Sequence, residues 1–255
     1  MEVESVLVTG ANRGIGLEFV RQLVKLPRPP KYIFATYRDR NTIEALKQLR
    51  DESKDTIILL IKMDARNADQ IESARLVIED MVGDKGLNLL INNAGVLKRE
   101  AFPEITEENM LLHFTTNTVA PVMVFKAMFP LLQKAATQAP TGVNVSKAAV
   151  LNISSAGGSI ESQSSEFHKQ RLDSISYKTS KAALNMAMKV ISLTIKEQDI
   201  LVVNMCPGWV KTDMGSEAAD LEISESVSAM MSTLSRLNER HHGTFMDRNG
   251  ETIPY

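Results

Sequence analysis

The stretch "VLVTGANRGIGLEF", Val6 to Phe19, decides the fold. An apolar run of strand length ends at Thr9, glycines follow at Gly10, Gly14 and Gly16, and from Ile15 onward the apolar residues recur at helical spacing. Glycine at such a turn lets the backbone bend sharply and come close to a pyrophosphate, whose charge is met by the free N–H groups of the first helical turn. The spacing is G-x-x-x-G-x-G, which departs from the general G-x-G-x-x-G fingerprint. Its place after the first strand marks a dinucleotide site; the plainer reading is a structural turn.

The same strand-then-helix rhythm continues along the chain. The runs "SVLVTG", "YIFATY", "TIILLIKMD", "LNLLINNAG", "AAVLNISS" and "ILVVNMCPG" are rich in Val, Ile and Leu without alternation, so each reads as a strand buried on both faces. Helix patterns fall between them near residues 15–26, 41–52, 67–82, 106–136 and 175–198. A last amphipathic segment, "SESVSAMMSTLSRL", begins at a candidate N-cap, Ser224, and "GTFMD" follows as a short final strand. The rhythm predicts an α/β protein, a Rossmann-type doubly wound parallel sheet of about seven strands with helices on both faces, with 1–255 forming a single domain. Two long loops interrupt it at 138–147 and 157–176, and the second leads directly into Tyr177.

At 255 residues the chain can bury one sizeable core. A net charge of −2 supplies no basic stripe for a phosphate backbone, so nucleic acid is not expected as a partner. One cysteine, Cys206, excludes an internal disulfide, and the acidic start "MEVES" is unlike a signal peptide; both point to a cytoplasmic address. No uninterrupted apolar run approaches the ~20 residues that cross a bilayer, so no membrane partner is expected. The histidines and the cysteine lie at no zinc-ligand spacing, and no metal site is expected.

The end of the second strand, "ATYRDR", bears on the cofactor. An acid there accepts hydrogen bonds from the two free ribose hydroxyls of NAD, whereas an arginine pairs with the 2′-phosphate of NADP. Arg38 comes first, and Arg13 in the glycine loop approaches from the other side, so two cations converging on one position favour NADP(H). Asp39 keeps the NAD reading open should Arg38 point to solvent.

In "SISYKTSKAALN", Tyr177 and Lys181 stand four residues apart and share one face of a helix. A free phenol has a pKa of about 10, and general-acid work at neutral pH wants a value about two or three units lower, ~3–4 kcal/mol. An ammonium about 4 Å away at an effective dielectric of about 20 supplies ~4 kcal/mol. The pair is sufficient in magnitude for a charge-tuned proton donor, although composition alone also produces such pairs as surface decoration.

In chain order, TGxxxGxG, "NNAG" at Asn92 to Gly95, the serine pair Ser154 and Ser155 after the fifth strand, Y-x-x-x-K, and "PGWVKTDM" after the sixth form a recognisable set. The chain resembles the short-chain dehydrogenase/reductase family over about residues 5–247. Within it, the "TDM" ending and the close "GTFMDRNGETIPY" resemble the sniffer and C-factor branch of carbonyl reductases. The resemblance implies a tetrad of Asn117, Ser155, Tyr177 and Lys181. In it the serine holds the substrate oxygen, the tyrosine gives it a proton, and the lysine binds the nicotinamide ribose and lowers the tyrosine pKa. It also implies cofactor contacts from Gly10, Asn12, Arg13, Gly14, Ile15 and Gly16, from Arg38, and from Asp64 beside the adenine. Asn93, Ala94 and Gly95 follow, then Tyr177 and Lys181, then Pro207, Gly208, Val210 and Thr212, the last against the nicotinamide amide. A short substrate-loop region spans about 212–224.

Three details sharpen this. Alternation along a strand points only one of Ser154 and Ser155 at the site, and the family match favours Ser155. Pro121 stands four residues after Asn117 and has no N–H, so in a continuous helix the Asn117 carbonyl loses its usual partner and is left free; the alternative is a plain kink. The chain between Ser155 and Tyr177 is longer than in the shortest family members, so 161–174 is expected to bulge outward.

The implied function is NADPH-dependent reduction of a small-molecule ketone, aldehyde or quinone by a homodimer assembled through the fourth and fifth helices. The short segment between Met214 and Ser224 implies a shallow, permissive pocket. Open alternatives are an NADP-binding sensor or scaffold with little turnover, and an NAD-dependent alcohol dehydrogenase. Trp209 reads as pocket lining or core, Met230 and Met231 as packing, and His241-His242 as a solvated turn.

Overall fold

The computed structural model describes residues 1–138, 142–163 and 173–255. Among them, β1 (Ser5–Val8), β2 (Tyr32–Tyr37), β3 (Ile57–Lys62), β4 (Leu89–Asn92), β5 (Ala149–Ile153), β6 (Leu201–Cys206) and β7 (Thr244–Asp247) form a seven-stranded sheet in the order β3-β2-β1-β4-β5-β6-β7. Every neighbouring pair is parallel. The order reverses direction between β1 and β4, and in doubly wound sheets the crevice at that point, beyond the C-terminal strand ends, is where ligands bind.

Among the described residues the α-helices are α1 (Gly14–Leu23), α2 (Glu44–Glu52), α3 (Ala68–Val82), α4 (Glu107–Phe114), α5 (Ala120–Thr137), α6 (Ile175–Thr194) and α7 (Ile223–Leu234). Val6, Val8, Leu89 and Ile91 pack toward α1, α2 and α7. Leu7 and Leu90, the residues between them, pack toward α3, α5 and α6. Burial on both sides is why these strands carry no polar alternation. The edge strand β3 departs from that expectation, since among the described residues no strand pairs with its outer side: Ile57 is half exposed and Lys62 is exposed.

Two further expectations are corrected. The helix expected over 106–136 is broken by a π-helical turn, Thr115–Val119, in which the Ala120 N–H bonds to the Thr115 carbonyl. Pro121 has no N–H to offer either Asn117, four residues back, or Thr116, five back, so the helix widens here instead of running on or only kinking. Within Glu107–Thr137 the most apolar 18-residue stretch has a mean hydropathy of 1.2, enough by length and composition alone to cross a bilayer, and half of that stretch is buried in this fold. α7 begins at Ile223, and its N-cap is Glu222 rather than Ser224.

His241 and His242 are tied down. His241 Nδ1 accepts from the Asn238 N–H in a capping box. His242 Nδ1 accepts from the Val202 N–H of β6 at 3.3 Å, and its Nε2 lies 2.8 Å from the Ser192 carbonyl of α6. Beyond β7 the chain turns and runs back antiparallel, with Ile253 N–H on the Phe245 carbonyl and Tyr255 Oη on that of Gly243. Most of the stretch expected to bulge outward, 164–172, lies outside the described residues.

Candidate active site

The glycine turn and the "NNAG" loop form one unit at the switch point. A Cβ on Gly10, whose φ is 63°, would stand 3.1 Å from the Ala94 Cα. One on Gly16 would stand 2.3 Å from the Gly10 carbonyl oxygen and 2.5 Å from Asn93 Nδ2. From behind, Asn93 Nδ2 donates to the carbonyls of Thr9 (2.9 Å) and Gly10 (3.0 Å), and Thr9 Oγ1 accepts from the Asn93 and Ala94 N–H groups. The N-cap of α1, Arg13, makes no side-chain cap and the first turn holds no acid. The positive helix end and its N–H groups are left to an anion, which fits a dinucleotide pyrophosphate. Ile15 packs against the core, and Asn12 Nδ2 donates to Thr42 Oγ1 at 2.8 Å.

The charged groups beyond β2 and β3 are arranged differently from expectation. Arg13 pairs with Asp213 of the loop after β6, instead of converging with Arg38. Asp39 caps a short helical turn, accepting from the Asn41 N–H at 2.9 Å. Arg38 is exposed, and its charge helps hold the Asp64 carboxyl below its usual range. The main cause of that lowering is Arg66, whose guanidinium forks onto Asp64 at 3.0 and 2.6 Å.

At the C-terminal ends of β4, β5 and β6 the tetrad residues come together. Lys181 is buried, and its ammonium donates to the Ile153 carbonyl at 2.7 Å. It lies 5.8 Å from the centre of the Tyr177 ring. Ser155 shares a hydrogen bond with Tyr177 and accepts from the Gly157 N–H at 3.0 Å. Ser154 points the other way, its hydroxyl donating to Asn185 Oδ1 at 2.6 Å, so the pleat separates the two serines as alternation requires. Asn117 sits in the π turn, and its amide bonds both backbone groups of Val96 as well as Ser180 Oγ. Asn117 and Lys181 border Gly95, where a Cβ would lie 3.3 Å from Asn117 Oδ1 and 4.0 Å from Lys181 Nζ.

The electrostatics correct the expectation of a lowered phenol. Burial pushes Tyr177 up to about 12, while its bond to Ser155 pulls the other way. Burial likewise pulls Lys181 down to about 8. Here desolvation outweighs the Ser155 contact, so the phenol keeps its proton across the neutral range. Cys206 adds to the rise of Tyr177 and opposes the fall of Lys181; its sulfur accepts from the Ala156 N–H at 3.1 Å, and burial pushes the thiol up.

The turn after β6 closes the site. The Pro207 carbonyl accepts from Ser226 of α7 at 2.7 Å, and Gly208 has φ 84° with Leu221 Cδ1 and Arg248 Nη1 standing 2.5 and 3.0 Å from where a Cβ would be. Val210 is buried and bridged to Leu221, while Trp209 Nε1 donates to the Gly215 carbonyl at 2.7 Å. Thr212 reaches the glycine turn, its Cγ2 lying 3.5 Å from where a Gly14 Cβ would be.

The family model described as short chain dehydrogenase matches residues 4–222. The chain belongs to the short-chain dehydrogenase family. Among solved structures in this family it is similar to the carbonyl reductase Sniffer of D. melanogaster, at 37% identity and TM-score 0.93 over 100% of both chains. It is also similar to an NADPH-bound carbonyl reductase from chicken fatty liver, at 39% identity and TM-score 0.94 over 100% of this chain and 95% of that one. A curated relative, the C-signal of Myxococcus xanthus, is 32% identical over 170 residues, 66% of this chain and 93% of its own.

Beside these four residues of the short-chain dehydrogenase chain stand groups that motif reading missed. The Ile153 carbonyl could not be found by side-chain type, because any residue supplies it. His113 is fully buried and meets the Tyr177 ring edge-on, with centroids 6.3 Å apart. Its one sequence signal is helical spacing from Asn117.

Proposed function

We propose that this chain is an NADPH-dependent carbonyl reductase acting on small ketones, aldehydes or quinones. What supports the reading is the meeting of a protonated Tyr177, the Ser155 hydroxyl and the buried Lys181 ammonium, the last beside Gly95, next to a turn fit for a dinucleotide. NADPH, when bound, supplies the hydride that reaches the carbonyl carbon. Ser155 orients the carbonyl oxygen, Tyr177 gives that oxygen its phenolic proton, and Lys181 steadies the phenolate that results. Arg38 answers the 2′-phosphate, and Asp39, engaged in its cap, leaves that role to it. Asn12, Arg13, Ile15, Asn93, Ala94, Pro207, Gly208, Val210 and Thr212 complete the cofactor groove, with 212–224 bordering the substrate. The NADPH-bound, 39% identical chicken enzyme agrees with this assignment.

A homodimer fits the exposed apolar residues on two neighbouring helices, Met123 on α5 and Met186, Val190 and Leu193 on α6. The buried, unpaired Cys206 accords with a cytoplasmic address.

The test is NADPH consumption with diacetyl, followed by absorbance. Tyr177→Phe is expected to abolish turnover while NADPH still binds. An unchanged rate would remove Tyr177 as proton donor. Wild-type protein that binds NADPH and reduces no carbonyl in a panel would favour a sensor or scaffold.

A further inference from the structure

We infer that His113 is a positioning residue: with Asn109 it clamps the main chain of Lys98 and so holds the Val96–Lys98 wall of the site beside Tyr177. The inference rests on the carbonyl-reductase reading for its kinetic consequence, not for its geometry.

Asn109, His113 and Asn117 recur every four residues from α4 into the π turn. Asn117 takes both backbone groups of Val96, accepting from its N–H at 2.9 Å and donating to its carbonyl at 3.0 Å. The other two share Lys98: its N–H donates to His113 Nε2 at 3.1 Å, and its carbonyl accepts from Asn109 Nδ2 at 3.2 Å. Alternate residues of an extended segment present N–H and C=O to the same side, as in strand pairing. Here one helix supplies with side chains what a neighbouring strand would supply with backbone.

The chemistry of the partners defines His113. A backbone N–H only donates, so Nε2 carries a lone pair. A carbonyl only accepts, and that of Asn109 lies 2.8 Å from Nδ1, so Nδ1 carries the proton. The imidazole is therefore a single neutral tautomer, fully buried, with its edge against Tyr177 at an interplanar angle of 80°. The far end of the wall is pinned separately: Glu100 pairs with Lys98 at 3.0 Å and accepts from the N–H and hydroxyl of Thr106, the cap of α4. The glycine turn and Arg38 take no part in this clamp, so its loss falls on the carbonyl substrate and spares the cofactor.

The experiment compares His113→Phe, which keeps an aromatic ring beside Tyr177 without an acceptor, with His113→Gln, whose amide oxygen can receive the Lys98 N–H. In full-length protein with NADPH and diacetyl, His113→Phe should raise KM about tenfold, the worth of one lost hydrogen bond. Its kcat should stay within about twofold and its NADPH Kd should not move. His113→Gln should recover most of the KM. An unchanged KM in His113→Phe, or a joint loss of kcat, KM and NADPH affinity that His113→Gln does not rescue, overturns the inference. If His113→Phe does not fold, Asn109→Ala reads the same clamp from the carbonyl side, and an unchanged KM there overturns it equally. Amide exchange at Lys98 separates this from the functional reading. Slow exchange in wild type that becomes fast in His113→Phe upholds the clamp even if no diacetyl is reduced; equal exchange rates sink it.

Discussion

The ammonium of Lys181 donates to the carbonyl oxygen of Ile153, at the end of β5, across 2.7 Å. This bond fixes the amine at the strand end, and it explains how a buried cation is held beside a phenol whose pKa burial has raised.

The pH dependence follows from burial pulling Lys181 down to about 8 from 10.5. The folded protein gives up this proton before the unfolded chain does, so the unfolded state binds more protons between about 8 and 10.5. The cost of the buried charge is fully present below that window and is relieved as pH rises through it. The stability difference between wild type and Lys181→Met should therefore move in favour of wild type from pH 7 to pH 10, read from denaturant midpoints; a constant difference would contradict the shift. Carbonyl reduction by wild type should fall as pH climbs through about 8, because the charged amine is lost.

The two serines should separate cleanly. Ser155→Ala removes the hydroxyl that bonds Tyr177 and should lower kcat by roughly 10²–10³ with little change in stability. Ser154→Ala leaves Asn185 without its buried donor and should cost about 1–3 kcal/mol in denaturant titration while kcat stays near wild type. Reversed outcomes would mean that the pleat points the other hydroxyl at the substrate.

Arg38→Ala should weaken NADPH roughly tenfold to a hundredfold and NADH hardly at all, as measured by fluorescence titration. Equal weakening would remove Arg38 from the 2′-phosphate. Asp213→Asn, by freeing Arg13 from its ion pair, should tighten NADPH a few-fold, and a weaker NADPH complex would show that the pair itself shapes the groove.

Gly16→Ala forces a methyl to within 2.3 Å of the Gly10 carbonyl oxygen. Strain of this kind costs about 1–3 kcal/mol, and the displaced turn should lose cofactor affinity as well. A variant with wild-type melting temperature and wild-type NADPH binding would show that the turn relaxes freely.

The apolar runs from Val6 to Met205 announce strands because both faces are covered, and a pleat's alternation required that only one of Ser154 and Ser155 face the site, the family match choosing Ser155. The edge character of β3 was not legible, since Ile57 has the composition of a central strand and only its position in the sheet exposes it. Nor was the pairing of Arg13, whose partner lies 200 residues away in sequence.

By itself, the sequence determined the alternation of strands and helices, the glycines where backbone must pass close to backbone, and the order of a recognisable motif set, because each is written in local spacing and side-chain volume. Tertiary structure alone decided the strand order, the π turn that carries Asn117, the partner of Lys181, the clamp on Lys98 and the raised pKa of Tyr177. Those depend on which distant groups exclude water from one another. Desolvation and long-range pairing are properties of the folded solid, and local spacing carries no record of them.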